Sequence, residues 1–234
     1  MNPHRLYRTT RAVLVSAVGL SQCATAGAQV QDGSRVRPAA EARLPGLESM
    51  TGLLRAPSAY VPGRREVTLL ASGSHRTMAG ALLGFDERGE IGINSGGENG
   101  GGTGLNAKIN LVPETLLLPA VSAGVLNAFG TSGANRSGYL VVSKYVIPYF
   151  VEALTGKRNL AVKLHAGYGG GLYRNQPFVG AEVWSGNGVA ALGEVVAGRV
   201  NVGARYSHRG YGVTLGLLEG KRLGGSVSCT VTLQ

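Results

Sequence analysis

Apolar and polar side chains alternate with a period of two along the C-terminal part of this chain, from Arg199 to Gln234. Such alternation is typical of β-strands that have one apolar and one polar face. In its last strands the apolar face carries Val200, Val202, Ala204, Val227, Val231 and Leu233. The solvent that meets this face distinguishes a fold that lies in a membrane from one that lies in water.

The same pattern predicts twelve strands from Glu66 onward, joined by links that contain glycine, asparagine, aspartate or serine. The predicted strands are Glu66–His75, Met78–Asp86, Glu90–Ser95, Gly104–Val112, Pro119–Gly130, Gly138–Pro148, Asn159–Gly169, Pro177–Ser185, Val189–Ala197, Arg199–Ser207, Gly212–Glu219 and Gly224–Leu233. Glycine-rich alternating strands of this number fit either a β-barrel or a β-sandwich. The fold class is therefore all-β.

The N-terminus has the pattern of a secretory signal peptide over residues 1–28. Basic residues precede a short apolar region, Ala12 to Leu20, and Ala26-Gly27-Ala28 provides a cleavage site. Cys23 ends a sequence with the outline of a lipobox, so lipidation is left open. Residues 29–49 lack periodicity and predict a disordered leader. Residues 50–63 are apolar but contain prolines and glycines, which predicts a plug or an entrance segment for the domain that spans residues 50–234.

Export favours a membrane barrel over a soluble sandwich. Strands of about 9–11 residues cross a bilayer at a tilt, and an even number with short turns is typical of outer-membrane barrels. We therefore expect an antiparallel transmembrane β-barrel of about twelve strands in the outer membrane, with lipid and lipopolysaccharide around it. The alternative is a secreted sandwich that binds a ligand or carbohydrate, in which the same apolar faces form the core.

Charge and residue types exclude several other functions. The formal charge of +10 falls to +7 on cleavage, and the basic residues do not form the clustered patch that nucleic-acid binding needs. Ser207-His208 is an adjacent pair, so its side chains point to opposite faces of a strand and cannot act together. No cysteine and histidine spacing indicates a metal site. We predict neither an enzyme nor a cofactor.

Charged and amide side chains fall on the predicted inner face of the strands. Because buried charges need partners or water, we expect an interior polar network, in which Glu194 and Arg205 lie on adjacent strands and could pair across their hairpin. The alternative is a polar lumen that conducts solutes or contacts a polysaccharide. The predicted residues are Glu66, Asn106, Lys108, Asn110, Lys163, His165, Glu182, Glu194, Asn201 and Arg205.

Several motifs, in order along the chain, resemble those of the YjbH-like outer-membrane proteins. They are Gly52-Leu53-Leu54-Arg55-Ala56-Pro57-Ser58-Ala59, Leu118-Pro119-Ala120-Val121-Ser122-Ala123-Gly124-Val125, Tyr139-Leu140-Val141-Val142-Ser143-Lys144 and Arg199-Val200-Asn201-Val202-Gly203-Ala204-Arg205-Tyr206. Asn127 replaces an acidic residue of that family, and Gly138 replaces a glutamate. The resemblance implies a Gram-negative outer-membrane barrel with a structural or transport role, accessory to exopolysaccharide export. Its implied partners are the barrel assembly machinery and a polysaccharide or export complex.

Overall fold

The fold is built from twelve β-strands in a computed structural model that describes residues 43–74, 77–96, 102–115, 117–129, 136–146, 160–185 and 187–234. The strands are β1 Glu66–Gly73, β2 Thr77–Phe85, β3 Gly89–Gly96, β4 Thr103–Val112, β5 Ala120–Leu126, β6 Ser137–Val146, β7 Leu160–Gly169, β8 Gln176–Ser185, β9 Val189–Val196, β10 Arg199–His208, β11 Tyr211–Leu218 and β12 Arg222–Thr232. A short 3-10 helix, Gly171–Tyr173, links β7 to β8.

Each strand pairs antiparallel with its neighbours in the sequence, and β1 pairs with β12 from Glu66↔Thr232 to Gly73↔Gly225, which closes the sheet into a barrel. The predicted fold class is confirmed. Predicted and observed strand ends differ mostly by one or two residues. The largest difference is at β5, which ends at Leu126 because Asn127 has a φ of +51° and donates its N–H to Oδ1 of Asn106.

The apolar faces of the strands point outward. Val200, Val202 and Leu215 retain 58%, 49% and 57% of their surface exposed, whereas the alternate residues are buried inside. In a sandwich these side chains would lie between two sheets, so the sandwich alternative is wrong. An outward apolar belt around a closed barrel requires lipid as its solvent. Within the described residues, no helix is long and apolar enough to cross a membrane.

Residues 43–63, called here the inserted segment, fold inside the barrel. Its first described residue, Arg43, lies beside Glu66. This is the end of the barrel where β1 begins and β12 ends, which we call the terminal end. It reaches the opposite, far end at Arg55, whose Nη1 lies 3.5 Å from Oε1 of Glu219. It then returns to Gly63, whose N–H donates to Glu66. The chain therefore makes one loop through the lumen.

The inserted segment is compact rather than extended. Gly52 and Pro57 form an isolated bridge, and the N–H of Leu47 donates to the carbonyl of Leu54 at 2.8 Å. Leu53 and Leu54 are fully buried, which contributes about 1.5–3 kcal/mol each relative to exposure. The segment starts earlier than predicted, because residues 43–49 of the predicted leader lie within it and Leu44 and Leu47 are buried.

Other predictions concern residues outside those described. They are the signal peptide, the lipidation of Cys23, the leader up to residue 42, and the predicted end of the first strand at His75. These remain predictions.

Candidate functional site

The barrel interior and the inserted segment together form the candidate site. Nine of the ten residues predicted for the inner face are buried there, and Glu66 lies at the mouth of the terminal end with a partly exposed side chain. The nine are Asn106, Lys108, Asn110, Lys163, His165, Glu182, Glu194, Asn201 and Arg205. Most of them bind the inserted segment, chiefly through its backbone.

Glu194 of β9 holds the turn of the inserted segment nearest the far end. Its carboxylate accepts hydrogen bonds from three consecutive backbone N–H groups, those of Leu54, Arg55 and Ala56, at 2.9–3.1 Å. Asn201 of β10 donates to the same carboxylate at 2.7 Å. Successive N–H groups in a turn form an anion-binding concavity, so the segment's backbone stabilises this buried carboxylate.

Arg205 of β10 makes the complementary contact with the segment's carbonyl groups. Its Nη2 donates to the carbonyl oxygens of Gly52 and Leu53 at 2.9 and 2.8 Å and to that of Pro45 at 3.3 Å, and Nε donates to Oγ1 of Thr214. The guanidinium therefore joins two separate parts of the outgoing limb, at Pro45 and at Gly52-Leu53, to the wall. The predicted pair between Glu194 and Arg205 is wrong for the described residues: both side chains bind the segment instead.

Lys108 of β4 forms a buried ion pair with Glu90 of β3, at 3.2 Å between Nζ and Oε1. Nζ also donates to the carbonyl oxygens of Thr51 and Ser58, and it contacts the Thr51 hydroxyl. Glu90 accepts hydrogen bonds from the Thr51 N–H at 3.1 Å and from its hydroxyl at 2.6 Å. The pair thus anchors Thr51 from two strands.

The limb that returns to the terminal end is held by small polar side chains. Asn110 Nδ2 and the Ser122 hydroxyl donate to the carbonyl oxygen of Ala59 at 2.9 and 2.6 Å. The Ala59 N–H donates to Oγ of Ser143 at 2.8 Å. Both backbone groups of Ala59 are therefore satisfied by the wall, as buried backbone groups require.

Tyr60 is the aromatic contact of the segment with the wall. Its ring lies edge-on to His165 and 5.8 Å from the Nζ of Lys163. Its hydroxyl donates to Oε2 of Glu114 at 2.7 Å, and burial together with this carboxylate raises the pKa of Tyr60. Tyr60 therefore stays protonated and keeps donating this hydrogen bond.

Glu182 of β8 connects the remaining interior charges. Its Oε1 lies 3.3 Å from Nε2 of His165, and its Oε2 accepts from Nε1 of Trp184 at 2.6 Å. Lys163 lies 5.4 Å from the centre of the Trp184 ring. Trp184 is buried inside the barrel at 1% exposure, so it is part of the interior network.

Inward-facing glycines make the space that the segment occupies. A Cβ built on Gly84 would lie 2.2 Å from the carbonyl oxygen of Gly63, and one built on Gly216 would lie 2.8 Å from a Leu54 methyl. Because the contact at Gly84 is with backbone, this position on β2 needs glycine for close approach, as strand glycines often do. At Gly216 on β11 a larger residue would require the Leu54 side chain to move.

Sequence reasoning missed Glu90, which is fully buried. The alternation of Glu90 with Ile91 and Ile93 could have placed its side chain on the inner face. It also misjudged the partner of Glu194. The two-residue turn Ala197-Gly198 sets Asn201 opposite Glu194 and Ala190 opposite Arg205, and hairpin counting from that turn gives the same pairs.

Four arginines and Glu219 line one cavity at the far end of the barrel. Arg199 and Arg222 contact the same oxygen of Glu219 that Arg55 approaches, and Arg174 lines the same cavity. Burial alone would raise the pKa of the Glu219 carboxyl, but the hydrogen bond from Arg199 and the charges of Arg222, Arg199 and Arg55 hold that pKa below its usual value. Glu219 is thus a carboxylate at neutral pH.

No protein-family model matches this sequence, and no curated protein matches it. Solved structures do. A KdgM porin matches with a TM-score of 0.46 at 10% identity, and a KdgM porin in complex with disordered oligogalacturonate matches with a TM-score of 0.50 at 10% identity. Each match covers 72% of this chain and 99% of the porin. The fold is that of an outer-membrane β-barrel. At this identity the second likeness shows the fold alone.

Proposed function

We propose that this protein is a porin-like outer-membrane barrel whose lumen serves the passage of a polar solute and is closed at rest by the inserted segment. Eight-stranded barrels are filled by their own side chains, whereas barrels of 16 or more strands leave an aqueous channel. A barrel of twelve strands lies between these sizes. Here the remaining space holds residues 43–63 rather than larger wall side chains.

One observation carries this proposal: the segment is held mainly by polar contacts between wall side chains and its backbone. Glu194, Arg205 and Lys108 would keep their charges in a water-filled lumen if the segment left, because water can replace the backbone groups they bind. A wall that stays polar without its occupant is the kind of lining that a solute pathway needs.

The solute we propose is a saccharide. The motif resemblance to the YjbH-like proteins supports a role accessory to exopolysaccharide export. We also propose that the barrel assembly machinery inserts this protein into the outer membrane, where lipopolysaccharide surrounds it. The matched porin that was solved in complex with oligogalacturonate has the same fold. The bound saccharide is an observation on that porin.

Conductance across planar bilayers tests the proposal. We expect the intact barrel to be closed most of the time and a variant that lacks residues 43–63 to conduct steadily. Heat-modifiable gel migration checks that each variant is a folded barrel. If the folded variant without the segment carries no more current than the intact protein, the lumen is not a pathway and the barrel has a structural role.

A further inference from the structure

Four arginine side chains surround one cavity at the far end of the barrel. The cavity has a volume of about 280 Å³, and its lining includes Arg55, Arg174, Arg199, Arg222 and Glu219. Among the residues that the structure describes, four guanidinium groups and one carboxylate thus line this cavity. Glu48 lies 3.8 Å from Arg55, and within the same described residues a positive excess of two remains when this second carboxylate is counted.

The arginines come from four separate parts of the chain. Arg55 lies on the inserted segment, while Arg199 and Arg222 begin β10 and β12 directly after tight turns. Ala197-Gly198 and Glu219-Gly220 both have positive φ at their two central residues, as type I′ hairpin turns do. These short turns bring the two strand starts to the same rim of the barrel.

Arg174 is the arginine of this cavity whose charge has the fewest acidic side chains near it. It has a left-handed backbone with a φ of +56°, is exposed, and has no acidic side chain within 4 Å among the described residues. Three of the four arginines share one oxygen of Glu219. Planar guanidinium groups bind carboxylates and phosphates in a bidentate manner, so the lining of this cavity is suited to an anionic ligand.

We propose that this cavity binds an anionic group, the carboxylate of an acidic sugar or a phosphate, and that binding there changes the position of the inserted segment through Arg55. The volume is near the lower end of small-molecule sites, about 300 Å³, so the site takes one sugar unit or one phosphate group. The second part rests on the proposed function, since it requires a segment that can move.

The link to the segment follows from the contacts of Arg55. Its backbone N–H donates to Glu194, while its side chain is 3.5 Å from Glu219. An anion that competes with Glu219 for the Arg55 guanidinium would change the contact that holds the tip of the segment at the far end. A ligand shifts such an equilibrium by its difference in affinity for the two states.

Calorimetric titration of the full-length barrel in detergent micelles tests the site. The probes are D-galacturonate, inorganic phosphate and, as the uncharged control, D-galactose. We expect at least one anion to bind and galactose not to bind, with affinity that falls as salt is added. Binding of galacturonate alone assigns the site to sugar carboxylates, and binding of phosphate alone assigns it to phosphate groups.

The double substitution Arg174→Gln with Arg222→Gln should weaken anion binding about tenfold or more. Arg88→Gln, which removes an exposed arginine from the β2–β3 turn at the terminal end, is the matched control and should leave binding unchanged. Equal affinity in both variants, binding of galactose as tight as that of galacturonate, or no binding of either anion would overturn the site.

Conductance recordings with the bound anion separate the two parts of the proposal. We expect openings of the intact barrel to change in frequency with the anion, and not in the double variant. If the anion binds but the frequency of openings does not change, the link through Arg55 is contradicted and the binding site is still supported. If the barrel without residues 43–63 does not conduct although the intact protein binds the anion, the proposed function fails and the binding site remains.

Discussion

Replacing Arg205 with methionine should release the inserted segment from the barrel wall. The substitution removes the donors to the carbonyl groups of Gly52, Leu53 and Pro45. It also leaves the nearby carboxylates of Glu182 and Glu194 without a cation with which they interact. Breaking a buried charge network in this way costs about 3–5 kcal/mol. The barrel strands keep their backbone pairing, so the loss should fall mainly on the segment.

The measurement is the rate at which a cysteine at Ser49 reacts with a maleimide in the folded barrel. Ser49 is fully buried, so reaction requires the segment to leave its place. We expect Arg205→Met to speed the reaction about a hundredfold or more. Arg209→Met, in the exposed turn after β10, is the control. An equal rate in the two variants would show that Arg205 does not hold the segment.

A lysine at Leu215 should impair assembly of the barrel in the membrane. Leu215 lies in the middle of β11 with 57% of its surface exposed on the outer face. A lysine that faces lipid at the bilayer midplane costs about 2–4 kcal/mol, and near the interface the cost falls to about 0–1 kcal/mol. Leu223, near the start of β12 and 73% exposed, offers the matched position at the rim.

The measurement compares Leu215→Lys with Leu223→Lys by heat-modifiable gel migration and by urea denaturation in lipid vesicles. The mid-strand variant should show less folded barrel and a lower denaturation midpoint, and the rim variant should resemble the unmodified protein. Equal stability of the two variants would mean that lipid does not cover this face.

The strands could be predicted from the sequence because each carries its own pattern. In β7, for example, Leu160, Val162, Leu164 and Ala166 alternate with Ala161, Lys163 and His165, and the observed strand begins one residue from its predicted start. Closure of the barrel could be expected from the even number of strands. The inward direction of Lys108, Glu182 and Arg205 followed from the same alternation.

The inserted segment could be predicted only in part. Residues 50–63 are apolar and interrupted by prolines, which indicated a plug or an entrance. Leu44 and Leu47 lie among polar residues without periodicity, so no local pattern showed that they are buried. The partners of Glu194 and Arg205 were also out of reach, because these side chains bind backbone groups about 140–160 residues away, and backbone groups have no sequence signature.

The most direct test of a barrel closed by its own N-terminal segment is a disulfide between Ser49→Cys and Gly80→Cys, in a background with Cys229→Ser. A Cβ built on Gly80 lies 3.2 Å from the Cβ of Ser49, close to the 3.5–4.5 Å of disulfides. It also lies 2.9 Å from the carbonyl oxygen of Ile93, so β2 must shift slightly to accept the cysteine. We expect the bond to form in native membranes and to be found by peptide mass mapping. The pair Ser49→Cys and Ala81→Cys, with Ala81 on the opposite face of β2, should stay reduced. If both pairs remain as thiols that react with maleimide, residues 43–63 do not occupy the lumen.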